Sequence, residues 1–277
     1  MNVKVYALAV ATFTVSLVEL IIGGILPMIA TDLHVSVSVA GQLITVFALV
    51  FAISGPLLLA LTARMERKRL YIFSLFIFFV GCLIAFWSPN YATLFLSIIV
   101  TAASGGLLTA LSLTMAVAIV KETYRARVIG IILMGISSAI VLGVPIGVFI
   151  STFIGWRTIF LLIAIITLLV MLLIHFTLTR VQPEKVVPLK QQFASLKSSK
   201  VISAQLVTAL AMAGHYTFYA YFAPFLKEML LLDSNWISIA YFVYGIAAVV
   251  GGGLLIIALV CAIFSLSRKQ VSVHMYI

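Results

Sequence analysis

The sequence predicts an all-α, polytopic membrane protein, and three observations carry that prediction. Apolar runs of spanning length follow one another with only short breaks. Charged residues make up 9% of the 277 positions against 64% hydrophobic, where a soluble domain carries about a quarter charged. Fifteen of the 17 Lys and Arg fall in alternate breaks, the bias expected when cytoplasmic loops collect positive charge. A transmembrane β-barrel is excluded, because its strands alternate over about 10 residues and these runs do not alternate.

Eight spans are expected, over residues 5–29, 39–63, 70–87, 91–120, 128–150, 159–178, 201–225 and 236–266. A spanning helix needs about 20 residues, so each qualifies or nearly does. The first run is too long for the apolar stretch of a signal peptide and carries Glu19 inside it, so it reads as a retained helix. Placing the amino terminus in the cytoplasm puts 64–69, 121–127, 180–200 and the C-terminal tail inside as well. The external breaks are then short, at 31–38, 88–90 and 151–156, and the only outside cations are Arg157 and Lys227. The net charge of +10 is therefore topological, and no nucleic-acid partner is expected.

Within span one, Thr12, Ser16, Glu19, Gly23 and Pro27 recur at steps of four, three, four and four. That spacing gathers polar and small residues on one face, expected to line a water-filled cavity. A carboxylate at mid-span costs about 2.5–3.5 kcal/mol even on a permissive scale, and such acids are functional by default. The alternative is a protonated carboxyl tied to a neighbouring helix for structure alone. Pro27 is expected to close the span.

The break after span two carries Arg64, Arg67 and Arg69, either a topological anchor or a gate. Cys82 in span three and Cys261 in span eight read as inert buried thiols. Ser97, Thr101, Ser104 and Ser112 in span four, beside Gly105 and Gly106, predict hydroxyl bonds between helices. Span five repeats small residues every four positions, at Gly135, Ala139, Gly143 and Gly147, with Pro145 loosening the helix. The stretch 180–200, with Pro183, Pro188 and five basic residues, is the one credible linker. Six spans, a basic linker and then more spans is the layout of a transporter built from two six-helix halves.

Span seven carries Thr208, Met212, His215, Tyr219 and Phe222 on one stripe, with Tyr216 and Tyr221 nearby and Pro224 expected to close the span. The stripe reads either as packing and interfacial aromatics or as a place where a planar heterocycle stacks against His215 and Tyr219. No HExxH, GxSxG or GxxxxGK[ST] pattern occurs, and His34, His175, His215 and His274 are scattered. No enzyme activity, metal or cofactor is expected, so any pumping draws on an ion gradient.

The stretches VELIIGGILPMIATDLHVSVSVAGQLITVFAL (18–49), SGPLLLALTARMERKRLY (54–71), ETYRARVIGIILMGISSAIVLGVPIG (122–147), GWRTIF (155–160) and AGHYTFYAYFAPFL (213–226) carry a family resemblance. They resemble the drug:proton antiporter branch of the major facilitator superfamily, most closely its bacterial purine base and nucleoside efflux pumps. The resemblance covers about residues 1–252. It implies the major facilitator fold and export of a purine base or nucleoside in exchange for protons, in the plasma membrane with both termini cytoplasmic. Lipid and these small solutes are the partners it implies. By resemblance Glu19 is the first-span acid of proton exchange. Asp32 and the loop bearing Arg64, Arg67 and Arg69 are gating elements, and Gly143, Pro145 and Gly147 belong to the antiporter motif of span five.

The loop departs from the family pattern at Leu59, Ala63 and Glu66, and span four has Ile98 where an intramembrane Arg is common. After Gly252 the likeness ends. The expected organisation is an N-terminal six-helix half at 1–179, a linker at 180–200 and an incomplete second half at 201–277, as in a C-terminally truncated product. A broader drug or sugar exporter on the same scaffold, or a non-transporting remnant, are the competing readings.

Overall fold

The computed structural model describes residues 3–178, 199–231, 233 and 236–247. Most of the expected linker, span eight beyond residue 247 and the C-terminal tail lie outside the described residues. The described elements are helical: α1 (Val3–Asp32), α2 (Val37–Leu61), α3 (Arg67–Phe86), α4 (Tyr91–Ala118), α5 (Arg125–Ser138), α6 (Val144–Ile154), α7 (Trp156–Thr177), α8 (Ser199–Met229) and α9 (Trp236–Ala247). A short 3-10 turn, Glu122–Tyr124, leads into α5, and a π segment, Ala139–Gly143, joins α5 to α6. Span five is thus one rod over Glu122–Ile154, and seven described helices are long and apolar enough to cross a membrane.

Local chemistry explains where the helices begin. The Ser36 hydroxyl accepts from the Val39 amide at 3.2 Å, and the Asn90 side chain accepts from the Thr93 amide at 2.9 Å. Each satisfies one of the amides left open at a helix start. The expected external break at 151–156 contracts to Gly155 alone, whose φ of +84° lets the chain reverse in a single residue. A side chain is strained at that dihedral.

The prolines behave differently from expectation. Pro27 and Pro224 were expected to end their spans, yet α1 continues to Asp32 and α8 to Met229. Proline removes one backbone hydrogen bond, whereas ending the helix in hydrocarbon would strand several. At Pro145 the loosening takes the form of the π segment immediately upstream. A wider turn there relieves the clash of the proline ring with the carbonyl four residues back, that of Val141.

α1 is the hub. It packs against α2, α4, α5, α6, α7 and α8, while α2–α4, α3–α4 and α3–α7 pairs close the ring. Close approach relies on small residues: a Cβ at Gly106 would overlap Ser54 and the Phe51 carbonyl, one at Gly135 the Ala9 carbonyl. The rim presents Ile53, Leu61, Phe73, Leu169 and Phe176 outward, side chains that lipid solvates.

Span four corrects one expectation. Ser97, Thr101 and Ser104 donate back to carbonyls of their own helix three or four residues earlier. Of this set, Ser112 makes the bond between helices, at 2.7 Å from the Tyr71 hydroxyl of α3. A helical hydroxyl reaches its own i−3 or i−4 carbonyl without any partner, so burial alone does not impose a bond across helices.

Candidate functional site

The polar face of α1 is divided between two neighbours rather than lining one cavity. Thr12 donates to the Ala9 carbonyl at 2.9 Å and lies 3.3 Å from the Ile132 carbonyl of α5, beside Gly135. Gly143 and Gly147 continue that seam against Leu17 and Ile21. Farther along, Glu19 and Gly23 turn toward α8. At about 100° per residue Glu19 and Gly23 each lie within about 20° of Thr12, so the division is by level: α5 covers this face at Thr12 and α8 covers it from Glu19 onward. Thr12, Ser16, Gly23 and Pro27 are buried in helix contacts, and Glu19 is partly buried.

Around Glu19 the site is built from tyrosines. The Tyr216 hydroxyl donates to Glu19 Oε1 at 2.6 Å, and the Tyr219 hydroxyl donates to the Leu20 carbonyl at 3.2 Å. Gly23 admits the Tyr219 ring, since a Cβ there would already stand 3.4 Å from Cε1. His215 lies nearly parallel to Tyr219, with ring centroids 6.3 Å apart, and its Nδ1 is 3.1 Å from the Tyr244 hydroxyl of α9. Tyr241 meets Tyr219 edge-on at 5.5 Å, and Phe218 and Phe222 extend the cluster.

Glu19, His215 and Tyr219 are thus brought into one neighbourhood, while Thr208 and Met212 of the same stripe stand exposed. Tyr216, Tyr241 and Tyr244 complete it and were not among the expected site residues. A mid-membrane carboxylate needs a donor, which is a signal that could have singled out Tyr216 beside the stripe. Tyr244 lies 29 residues from His215, and no periodicity links them.

Asp32 sits apart, at the C-terminal end of α1. Its Oδ2 accepts from the Arg157 guanidinium and from Trp156 Nε1 at 3.3 Å. Arg157 Nε also donates to the Ser88 carbonyl at 3.1 Å, and the guanidinium stands 4.4 Å over the Trp156 ring. One side chain therefore ties α1 and α7 to the α3–α4 connection. Arg157 was expected only as an outside charge, although the stretch GWRTIF held it.

At the opposite end Arg64 is exposed, Arg69 pairs with Glu66 at 3.0 Å, and Arg67 is buried at the start of α3. Lys68 Nζ donates to the His175 carbonyl at 2.7 Å, joining the first turn of α3 to the end of α7. Near this end an open crevice of about 440 Å³ runs between α1 and α5, walled by Tyr6, Val10, Phe13 and Met134 with Arg127 beside them.

Comparison with known proteins places this geometry. The family described as the Major Facilitator Superfamily matches residues 8–271. An uncharacterized MFS-type transporter of Bacillus subtilis (strain 168), YbcL, is 37% identical over 248 residues, covering 90% of this chain and 64% of the relative. A second from the same organism, YtbD, is 30% identical over 246 residues, covering 88% and 62%. The chain thus spans somewhat under two thirds of the length of these curated relatives. Among solved structures, an inward-facing, unoccupied bacterial homolog of the human lysosomal transporter Spinster superposes with a TM-score of 0.70 at 20% identity, over 87% of this chain and 58% of the other. A peptide transporter, POT, in complex with sulfate gives 0.58 at 16% identity, over 77% and 45%. Both structural likenesses concern the fold.

Proposed function

The chain belongs to the Major Facilitator Superfamily, and from that premise we propose that it serves secondary active efflux of purine bases or nucleosides, driven by proton antiport. The observation that carries this reading is Glu19, an acid inside a membrane span, facing the aromatic cluster of α8 and α9 through its bond to Tyr216. An intramembrane carboxyl that can exchange a proton with water is the part a gradient-driven exchanger needs. The flat faces of His215, Tyr219 and Tyr244 suit a planar heterocycle, which stacks on rings and hydrogen-bonds at its edges. In this reading α1 to α7 form one six-span half and α8 begins the second, so the α1–α8 contact is where the halves meet.

Resistance of cells to a panel of toxic compounds tests the proposal. Glu19→Gln should abolish gradient-driven export while leaving membrane insertion intact. His215→Ala and Tyr219→Ala should each lower resistance to purine analogues more than resistance to unrelated cationic drugs. Export by Glu19→Gln at the original rate and pH dependence would overturn proton exchange at this site. A carboxylate beside aromatic faces also suits organic cations, and equal losses across both compound classes would establish the broader drug-exporter reading instead.

A further inference from the structure

We infer that Tyr216 and Tyr219 form a two-point latch between α8 and α1, and that a proton on Glu19 loosens one of its two points. The inference rests on the reading of Glu19 as the proton site, and makes Tyr216 a positioning residue. Both hydroxyls reach the same turn of α1, Tyr216 at the Glu19 carboxylate and Tyr219 at the Leu20 carbonyl. The described α8 side chains from Val201 to His215 are exposed, whereas Tyr219, Ala220, Ala223, Pro224 and Leu226 are buried and Tyr216 is partly so. The attachment of α8 therefore begins at these two tyrosines.

The two points differ in kind. The Leu20 carbonyl does not titrate, so Tyr219 holds at any pH. The Glu19 carboxyl does titrate. Its 2.6 Å separation from the Tyr216 oxygen lies in the range of hydroxyl bonds to a charged acceptor, which are about twice as strong as neutral ones. When one proton arrives from water, the acceptor becomes neutral and that bond weakens, while Tyr216 keeps its own proton. The freed α8 can then part from α1 at this level, with Tyr219 as the pivot. Protonation is thereby read out as a change in the contact where the two halves meet.

Few other groups could produce the same response. On α8 and α9 the neighbouring titratable side chains are His215, Tyr219, Tyr241 and Tyr244. Among the other helices packed on α1, α2 and α6 carry no titratable residue. α4 has Tyr91 at its start, α5 has Arg125 and Arg127 at its start, and α7 has Arg157 and His175 at its two ends. His215 is the competing switch, and it faces Tyr244.

The test is a distance measurement by paired spin labels at exposed Val3 and Ile202, near the ends of α1 and α8 that lie on the Tyr216 side of the pivot. The full chain is used in lipid nanodiscs, with Cys82→Ala and Cys261→Ala as background. Falling pH should shift the distances longer. Tyr216→Phe and Glu19→Gln should each abolish that shift, while Tyr219→Phe should lengthen distances at every pH and keep the step. His215→Gln should also keep it. A shift that persists in Tyr216→Phe, or that is lost in His215→Gln and kept in Glu19→Gln, would overturn the latch. Proton-driven transport measured in parallel separates the two ideas. If Glu19→Gln transports normally while the distance step still requires Glu19 and Tyr216, the latch stands and the transport reading falls.

Discussion

Arg157 illustrates what one side chain contributes when its donors diverge. Its guanidinium satisfies Asp32 and the Ser88 carbonyl and lies over Trp156, a combination a lysine cannot reproduce because an ammonium is a compact point charge. The pair is partly exposed, at 31% for Arg157 and 44% for Asp32, so its ionic part is worth only about 0.2–1 kcal/mol. The bond to Ser88 adds about 1 kcal/mol. Arg157→Lys should accordingly lower the stability of detergent-solubilised protein by roughly 1–2 kcal/mol. A double-mutant cycle with Asp32→Asn should return a coupling of about 0.5 kcal/mol or more. Zero coupling in thermal unfolding would mean that the two residues stabilise the junction of α1 and α7 independently.

Among the elements, α5 and α6 depend on glycine in a way α8 does not. Gly135 abuts the Ala9 carbonyl and Thr12, and Gly147 abuts Ile21, whereas nothing lies within 4 Å of a Cβ built at Gly130 or Gly214. Membrane helices associate through close backbone approach rather than a hydrophobic drive, so the packed glycines should be intolerant and the open ones permissive. Gly135→Val is expected to destabilise by about 1–3 kcal/mol through overpacking. Gly130→Ala, in the same helix, should be neutral or stabilising by up to about 1 kcal/mol from helix propensity. Thermal unfolding of the two variants side by side checks this, and equal effects would show that the α1–α5 seam is not tightly packed. The four-residue repeat in the sequence identified this seam; the π segment ahead of Pro145 was legible only as a loosening.

For the molecule as a whole, the charge split sets the expected orientation, with residues 180–200 on the cytoplasmic side. A cysteine introduced as Ser195→Cys should resist membrane-impermeant thiol reagents added outside intact cells and react after permeabilisation. Ready labelling from outside would invert the topology and place Asp32 and Arg157 in the cytoplasm. The spans and the α5 seam follow from hydropathy, spacing and chain length, because each span must satisfy its own backbone bonds whatever surrounds it.

Which helix stands at the centre is different. The best window of α1 is 78% buried and that of α2 only 22%, although both are strongly apolar. Lipid tails are as apolar as a protein interior, so a span's hydropathy carries no record of whether lipid or another helix covers it. For the same reason Glu19 was legible from the sequence as an acid out of place, while its partner was not. Tyr216, Tyr241 and Tyr244 are ordinary membrane tyrosines until α8 and α9 are folded onto α1, because hydrogen bonds across 197 residues of separation depend on packing and leave no local periodicity behind.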